Sequence, residues 1–174
     1  MKEEDLQHKS PELLQISPYG KVPVVVHEGR AIFESAICNE YLEQVYPQHA
    51  LLPADAFERA QVRIWTDYSA AYFSPPSYRI VRSEEPQVVQ ESWAELHKQL
   101  AYVERHLAAA AHGWFVGGRF TLADINILPF VHRVATRLEG DVLAGYPALG
   151  AWYAQVKARP SFQATLTEQP QHAA

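Results

Sequence analysis

The chain has 174 residues, of which 48% are hydrophobic and 20% are charged, and its formal net charge at pH 7 is −5. These shares are ordinary for soluble globular proteins, and the length allows one or two domains with a buried core. The negative charge argues against a nucleic-acid partner or an anionic membrane surface, because phosphate binding requires clustered positive charge.

The cysteine count and the apolar runs indicate the compartment. The only cysteine, Cys38, excludes an internal disulfide and fits a reducing cytoplasm. The opening residues MKEEDLQHK contain no apolar core of the signal-peptide type. No apolar run approaches the roughly 20 residues of a membrane span. We therefore expect a cytoplasmic protein without a membrane segment.

The first patterned segment is SPYGKVPVVVHEGRAIFES, from Ser17 to Ser35. It predicts a tight turn, a strand over Lys21–His27 that includes Pro23, a hairpin turn at Glu28–Gly29 and a short second strand. Ser35 is a good N-cap residue and predicts the start of a helix.

The chain changes character near residue 48. Residues 46–55 contain two prolines and no periodicity, which is typical of a linker. We predict an α/β unit over residues 1–47, a linker over 48–56 and an all-helical unit over 57–174.

The helical pattern begins at once after this linker. Residues 57–73 place Phe57, Ala60, Ile64, Tyr68 and Ala71 on one face at helical spacing, and Pro75–Pro76 should end or bend that helix. The next helix carries a long apolar seam, which predicts a bundle core. Its members are Val89, Trp93, Leu96, Leu100, Val103, Leu107 and Ala110.

A helix-start signal follows the Gly117–Gly118 break. Thr121 and Asp124 have the spacing of a capping box, and Phe120 and Ile125 occupy the flanking positions of a hydrophobic staple. We interpret Asp124 as a structural residue, not a catalytic one. Pro129 should kink this helix, and further short helices are expected around Leu149–Val156 and from Pro160.

Two of these segments resemble the glutathione transferase family. One is SPYGKVPVVVHEGRAIFES, and the other is FVGGRFTLAD, from Phe115 to Asp124. The opening EEDLQHKSPELL is closest to the tau-like and omega-like branches. The resemblance extends from about Glu3 to Leu166 and implies a truncated thioredoxin-like N-terminal unit followed by a C-terminal helical bundle.

The resemblance also implies a function. Family members transfer glutathione to or from small hydrophobic electrophiles, act in detoxification and form homodimers. An unpaired sheet edge at the apolar strand Val24–Val26 would favour dimerisation as well. Glutathione would be the substrate, with no metal, since the eight histidines are scattered.

The resemblance places a glutathione site on six residues of the first unit. Lys9 would contact the glycyl carboxylate, Lys21 would face the peptide, and Glu34 would meet the γ-glutamyl ammonium. Val22 would present its backbone beside a cis bond to Pro23, and Ser35 would hold the γ-glutamyl carboxylate. From the residues alone, the lysines could equally be exposed loop lysines, Pro23 an edge-strand proline, and Glu34–Ser35 an ordinary helix start.

The catalytic residue is harder to place. The family carries its thiol-activating group near the first strand–helix turn, but only 16 residues precede Ser17, and a βαβ unit needs roughly 30. We therefore expect this chain to lack that group and to conjugate glutathione poorly. Weak candidates are Tyr68, Tyr72 and Cys38, of which Cys38 is more simply a buried residue.

Tyr68, Tyr72 and Phe73 lie on the helix that lines the acceptor pocket in the family. Two alternatives to an active transferase stay open. The chain could be a catalytically silent module that binds glutathione or a partner, or a fragment of a longer transferase.

Overall fold

The computed structural model describes residues 2 and 4–167, and the chain divides into two compact units. The first unit ends at Leu52 and the second begins at Pro53. An α/β unit followed by an all-helical unit is the fold class that the sequence predicts, and it is confirmed.

The first unit contains two helices, two strands and a short 3-10 turn. Its elements are α1 (Pro11–Ile16), β1 (Val24–His27), β2 (Arg30–Phe33), α2 (Ser35–Val45) and the 3-10 turn Pro47–His49. Among the described residues, the sheet consists of β1 and β2 in antiparallel pairing, with Val24 opposite Phe33 and His27 opposite Arg30. β1 begins three residues later than the predicted strand, because Pro23 has no N–H and the backbone of Lys21 is bonded to Ser17.

A two-residue turn joins the strands. Glu28 has φ 50° and Gly29 has φ 75°. Positive φ at both central positions is characteristic of the hairpin turn whose twist matches that of paired strands. The predicted hairpin at Glu28–Gly29 is therefore confirmed.

The second unit is helical. Its elements are α3 (Ala56–Tyr68), a π-helical turn (Ser69–Phe73), α4 (Ser74–Arg82), α5 (Pro86–Ala109), α6 (Leu122–Arg137), a 3-10 turn (Val142–Gly145), α7 (Pro147–Lys157) and α8 (Pro160–Thr167). Prolines open α5 and α7, where a missing N–H breaks no helical hydrogen bond. Pro75 and Pro76 lie in the first turn of α4, but Phe73 and Ser74 before them are also helical. The prolines therefore do not end the helical stretch; they follow a π-helical turn that interrupts its regular α-helical hydrogen bonding.

Residues of α5, α6 and α7 make up much of the core of this unit. The central members of the predicted α5 seam are fully buried, whereas Val89, Trp93 and Ala110 at its ends are half-buried. Buried core residues of the three helices are Leu96, Leu100, Val103, Leu107, Ile127, Val131, Val134, Leu149, Trp152 and Val156.

Asp124 ties the start of α6 to α7. Its carboxylate accepts hydrogen bonds from the Thr121 N–H at 2.8 Å and from the Trp152 indole N–H at 2.8 Å. The Thr121 side chain in turn accepts from the backbone N–H of Asp124, and this second bond completes the predicted capping box. Burial raises the pKa of Asp124, and the bonds from Trp152 and Thr121 partly offset that rise.

The outer surface of α3 is unusually apolar. The face that carries Phe57, Ala60 and Ile64 is exposed, and the helix packs through Val62 and Trp65 instead.

Within the described part of the chain, no helix is long and apolar enough to cross a membrane.

Candidate functional site

A small cleft in the first unit gathers most of the predicted glutathione residues. It has a volume of about 60 Å³ and lies between the loop before β1 and the junction of β2 with α2. This space has room for only a few water-sized groups, so it could take no more than part of a ligand. Its lining residues are Ser17, Tyr19, Lys21, Val22, Pro23, Phe33, Glu34 and Ser35.

Ser17 closes the loop that forms one wall of the cleft. Its hydroxyl donates to the Lys21 carbonyl at 2.9 Å and accepts from the Lys21 N–H at 3.0 Å. The Gly20 N–H also donates to the Ser17 carbonyl at 2.9 Å. Because Ser17 is itself buried, this ring of bonds holds Lys21 and Val22 in place at the cleft.

Val22 presents free backbone groups. The Val22–Pro23 peptide bond is cis, as predicted, and Val22 is 46% exposed. Neither its N–H nor its carbonyl bonds to another described residue. Unpaired groups beside a strand are the arrangement that an extended peptide uses when it adds itself to a sheet.

The end of the cleft is the start of α2, where the sequence prediction needs a correction. Ser35 was expected to be the N-cap, but Glu34 holds that position and Ser35 is the first helical residue. The chain turns directly from β2 into α2 at Glu34, which has φ 70°, so helical dihedral angles begin at Ser35. The first N–H groups of this helix have no partner within the helix, and with the Ser35 hydroxyl they can hold an anion.

Lys9 lies outside the cleft lining but close to its loop. Gly20 has φ 57°, and a Cβ at that position would lie 3.3 Å from the Lys9 Nζ atom. The Lys9 side chain therefore extends over Gly20. The structure thus brings five of the six predicted residues into one lining and the sixth beside its loop.

Three lining residues were not predicted. Ser17, Tyr19 and Phe33 join the predicted set, and the rings of Tyr19 and Phe33 meet edge to face at a centroid distance of 5.8 Å. Tyr19 lies in the same SPYGKVP segment that carried the prediction, so its position in the motif could have indicated it.

The predicted acceptor residues lie around the π-helical turn of the second unit. Tyr68 and Tyr72 stack at 5.8 Å and line a groove of about 340 Å³ together with Arg63, Ile64 and Asp67. Phe73 has no exposed surface, so it can shape this region only through the residues that cover it.

The hydroxyl of Tyr68 is already engaged. It donates to the Gln99 side-chain carbonyl at 2.7 Å. Burial, with a smaller effect of the Tyr102 phenol, raises the pKa of Tyr68. Tyr68 therefore stays a neutral phenol at physiological pH and cannot act as a base.

Cys38 packs against the sheet. Its thiol is 2% exposed and donates to the Ile32 carbonyl at 3.3 Å. It does not line the cleft. Among the described residues, no group of three or more His, Cys, Asp or Glu side chains is placed to hold a metal ion.

Comparison with known proteins identifies the family. The model of the glutathione S-transferase N-terminal domain matches residues 1–44, and that of the C-terminal domain matches residues 86–155. A probable glutathione S-transferase, parC, from Nicotiana tabacum is 33% identical over 97% of this chain and 78% of its own length.

Solved structures agree with this result. The glutathione transferase Omega 3C from Trametes versicolor is 31% identical, with a TM-score of 0.81 over 99% of this chain and 79% of its own. Rice GST1, solved in complex with glutathione, is 27% identical, with a TM-score of 0.82 over 97% of this chain and 78% of its own. The chain belongs to the glutathione S-transferase family.

Proposed function

We propose that the chain binds glutathione in the cleft of the first unit and transfers it to or from small hydrophobic electrophiles. The observation that carries this proposal is the gathering of Lys21, Val22, Glu34 and Ser35 around one cleft. Glutathione is a peptide with an ammonium group, two carboxylates and a central thiol, so it needs a cation, a free strand edge and an anion site.

Each part of the cleft suits one part of that ligand. The backbone of Val22 would pair with the cysteinyl unit, as an added strand does. The Ser35 hydroxyl and the free N–H groups at the start of α2 would bind the γ-glutamyl carboxylate, which the helix dipole also favours. Glu34 would accept from the ammonium group, and Lys9 and Lys21 would approach the other carboxylate.

The acceptor would contact the second unit at Tyr72. This side chain is 54% exposed and presents an aromatic face, and the groove that it lines is mainly apolar. A small aromatic electrophile is the kind of molecule that such a surface favours.

Calorimetric titration with glutathione, followed by a conjugation assay with an aryl halide, tests both halves of the proposal. We expect saturable binding that weakens in the Val22→Pro variant, which removes one free N–H. The matched control is Val22→Ala, which shortens the same side chain but keeps the backbone N–H, and it should bind glutathione as the native chain does. Binding without turnover would favour the catalytically silent module, and no binding would contradict both.

We also infer that the protein is a cytoplasmic homodimer. Large apolar side chains are exposed in each unit, among them Tyr19 at 61% and Phe57 at 71%. Such residues often mark protein interfaces. A single cysteine suits a reducing compartment.

Light scattering coupled to size-exclusion chromatography tests the dimer. We expect twice the monomer mass for the native chain and a shift toward the monomer for Phe57→Ser. The matched control is Tyr46→Ser, another exposed aromatic residue. A monomeric native chain at high concentration would overturn the dimer without affecting the glutathione proposal.

A further inference from the structure

Two arginines converge on one tyrosine in the helical unit. The guanidinium carbon of Arg133, on α6, lies 3.7 Å from the ring centroid of Tyr78 on α4. The guanidinium carbon of Arg82, one turn further along α4, lies 5.0 Å from the same centroid. Tyr78 is 38% exposed, so this cluster is accessible from the surface.

The donors of this cluster lack acceptors. The Nη1 atom of Arg133 is buried and has no hydrogen-bond partner among the described residues. Within the same described part of the chain, neither the Arg82 guanidinium nor the Tyr78 hydroxyl has a hydrogen bond or an ion pair. Buried donors without partners are rare in folded proteins and often indicate a bound water or ion.

Arg79, on the same helix, shows the contrast. Its Nε donates to the Ser92 hydroxyl at 3.0 Å, and its guanidinium forms an ion pair with Glu95. The chain thus supplies an acid where an arginine links α4 to α5. Among residues 2 and 4–167, no acid pairs with Arg82 or Arg133.

The chemistry of the cluster determines what it can bind. Stacking on Tyr78 uses the face of a guanidinium and leaves its in-plane N–H groups available. Two cations near one ring also repel each other, and a bound anion would relieve that repulsion. A guanidinium fork matches the two oxygens of a carboxylate or a phosphate.

We propose that Tyr78, Arg82 and Arg133 form a binding site for the oxyanion group of a small molecule, either a carboxylate or a phosphate. All three residues lie in the helical unit. The site therefore does not depend on the glutathione cleft, and it goes beyond the proposed transferase function.

Titration calorimetry on the full chain tests the site, with inorganic phosphate and benzoate as probes and chloride used to hold the ionic strength constant. We expect saturable binding of at least one probe. Arg82→Gln and Arg133→Gln should each weaken it about tenfold, the effect of losing a hydrogen bond to a charged group. Arg105→Gln, which removes an exposed arginine on α5, is the matched control and should bind as the native chain does.

The two probes distinguish the sources of the oxyanion. Preference for phosphate indicates a phosphate ester, and preference for benzoate indicates an aryl or alkyl carboxylate. Arg133→Lys keeps the positive charge but loses the two-pronged donor geometry of the guanidinium. Because Arg133 is only partly exposed, a thermal melt of each Arg133 variant shows whether it folds. If the Arg133 variants do not fold, the affinity of Arg82→Gln for the probes tests the proposal, because Arg82 is exposed. Absence of saturable binding, or equal binding by Arg82→Gln and the control, would overturn the proposal.

Discussion

The hydroxyl of Ser17 bonds to both backbone polar groups of Lys21, donating to its carbonyl at 2.9 Å and accepting from its N–H at 3.0 Å. A single buried side chain therefore closes the loop that precedes β1. Since Lys21 and Val22 line the cleft, we expect the local order of this loop and the affinity of the proposed glutathione site to depend on the same hydroxyl.

Replacing Ser17 with alanine should reduce stability and glutathione affinity together. The substitution removes the partner of the Lys21 N–H and carbonyl, and because Lys21 is exposed to water the cost is about 0.5–1.5 kcal/mol for each hydrogen bond lost. Urea unfolding and calorimetry on the same samples measure the two effects. Ser161→Ala, at an exposed position on α8, serves as the control. A loss of stability at unchanged affinity would show that the loop does not position the ligand.

Ser35→Ala should lower glutathione affinity without lowering stability. Glu34 and not Ser35 is the N-cap of α2, so stability should change little, whereas glutathione affinity should fall by about 1.5–3 kcal/mol, the range for a hydrogen bond to a charged group. Ser10 offers a matched contrast, because its hydroxyl caps α1 by accepting from the Leu13 N–H at 3.1 Å. Ser10→Ala should cost about 1 kcal/mol of stability. Unchanged affinity in Ser35→Ala would place the γ-glutamyl carboxylate elsewhere.

Asp124 should give the protein an unusual pH dependence. Burial raises the pKa of Asp124, so the folded state holds its proton more tightly than the unfolded state does. The contribution of Asp124 to stability therefore rises as the pH falls through the folded-state pKa, and it is smaller at neutral pH. Urea unfolding of the native chain and Asp124→Asn at several pH values checks this sign. A stability difference that shrinks on acidification would contradict it.

Substitutions of the two aromatic residues of the π-helical turn should have different effects, one on the KM for the acceptor and the other on stability. Tyr72→Ala should raise KM for an aryl acceptor and leave KM for glutathione unchanged, because Tyr72 is largely exposed beside an apolar groove. Phe73→Ala should instead destabilise the unit by about 3–5 kcal/mol, since it empties a fully buried site. Steady-state kinetics and thermal unfolding of both variants test the distinction. Equal KM values for native chain and Tyr72→Ala would remove Tyr72 from the acceptor site.

Local signals account for the features that the sequence predicts well. The hairpin at Glu28–Gly29 depends on two adjacent residues that accept positive φ. The capping box at Thr121 and Asp124 depends on side chains three positions apart. In both cases the interacting groups are close in the chain, so the residue types and their spacing are enough to predict the local structure.

Features that arise from packing were not predictable in this way. The sequence predicts Ser35 as the N-cap of α2. The chain turns directly from β2 into the helix, however, and Glu34 occupies the N-cap position. The π-helical turn inserts an extra residue after Tyr68, and the buried Ser69 and Phe73 lie within it. Contacts between residues far apart in sequence, such as Arg133 with Tyr78, have no local signature.

The left-handed backbone at Glu34 bears on how this unit could evolve or be engineered. Glycine adopts φ 70° freely, whereas a side chain there costs on the order of 1–3 kcal/mol. Glu34→Gly should therefore make the unit harder to unfold while removing the carboxylate that faces the cleft. Selection for thermal tolerance alone would favour glycine at this position, whereas selection for the proposed contact with the glutathione ammonium group would retain the glutamate.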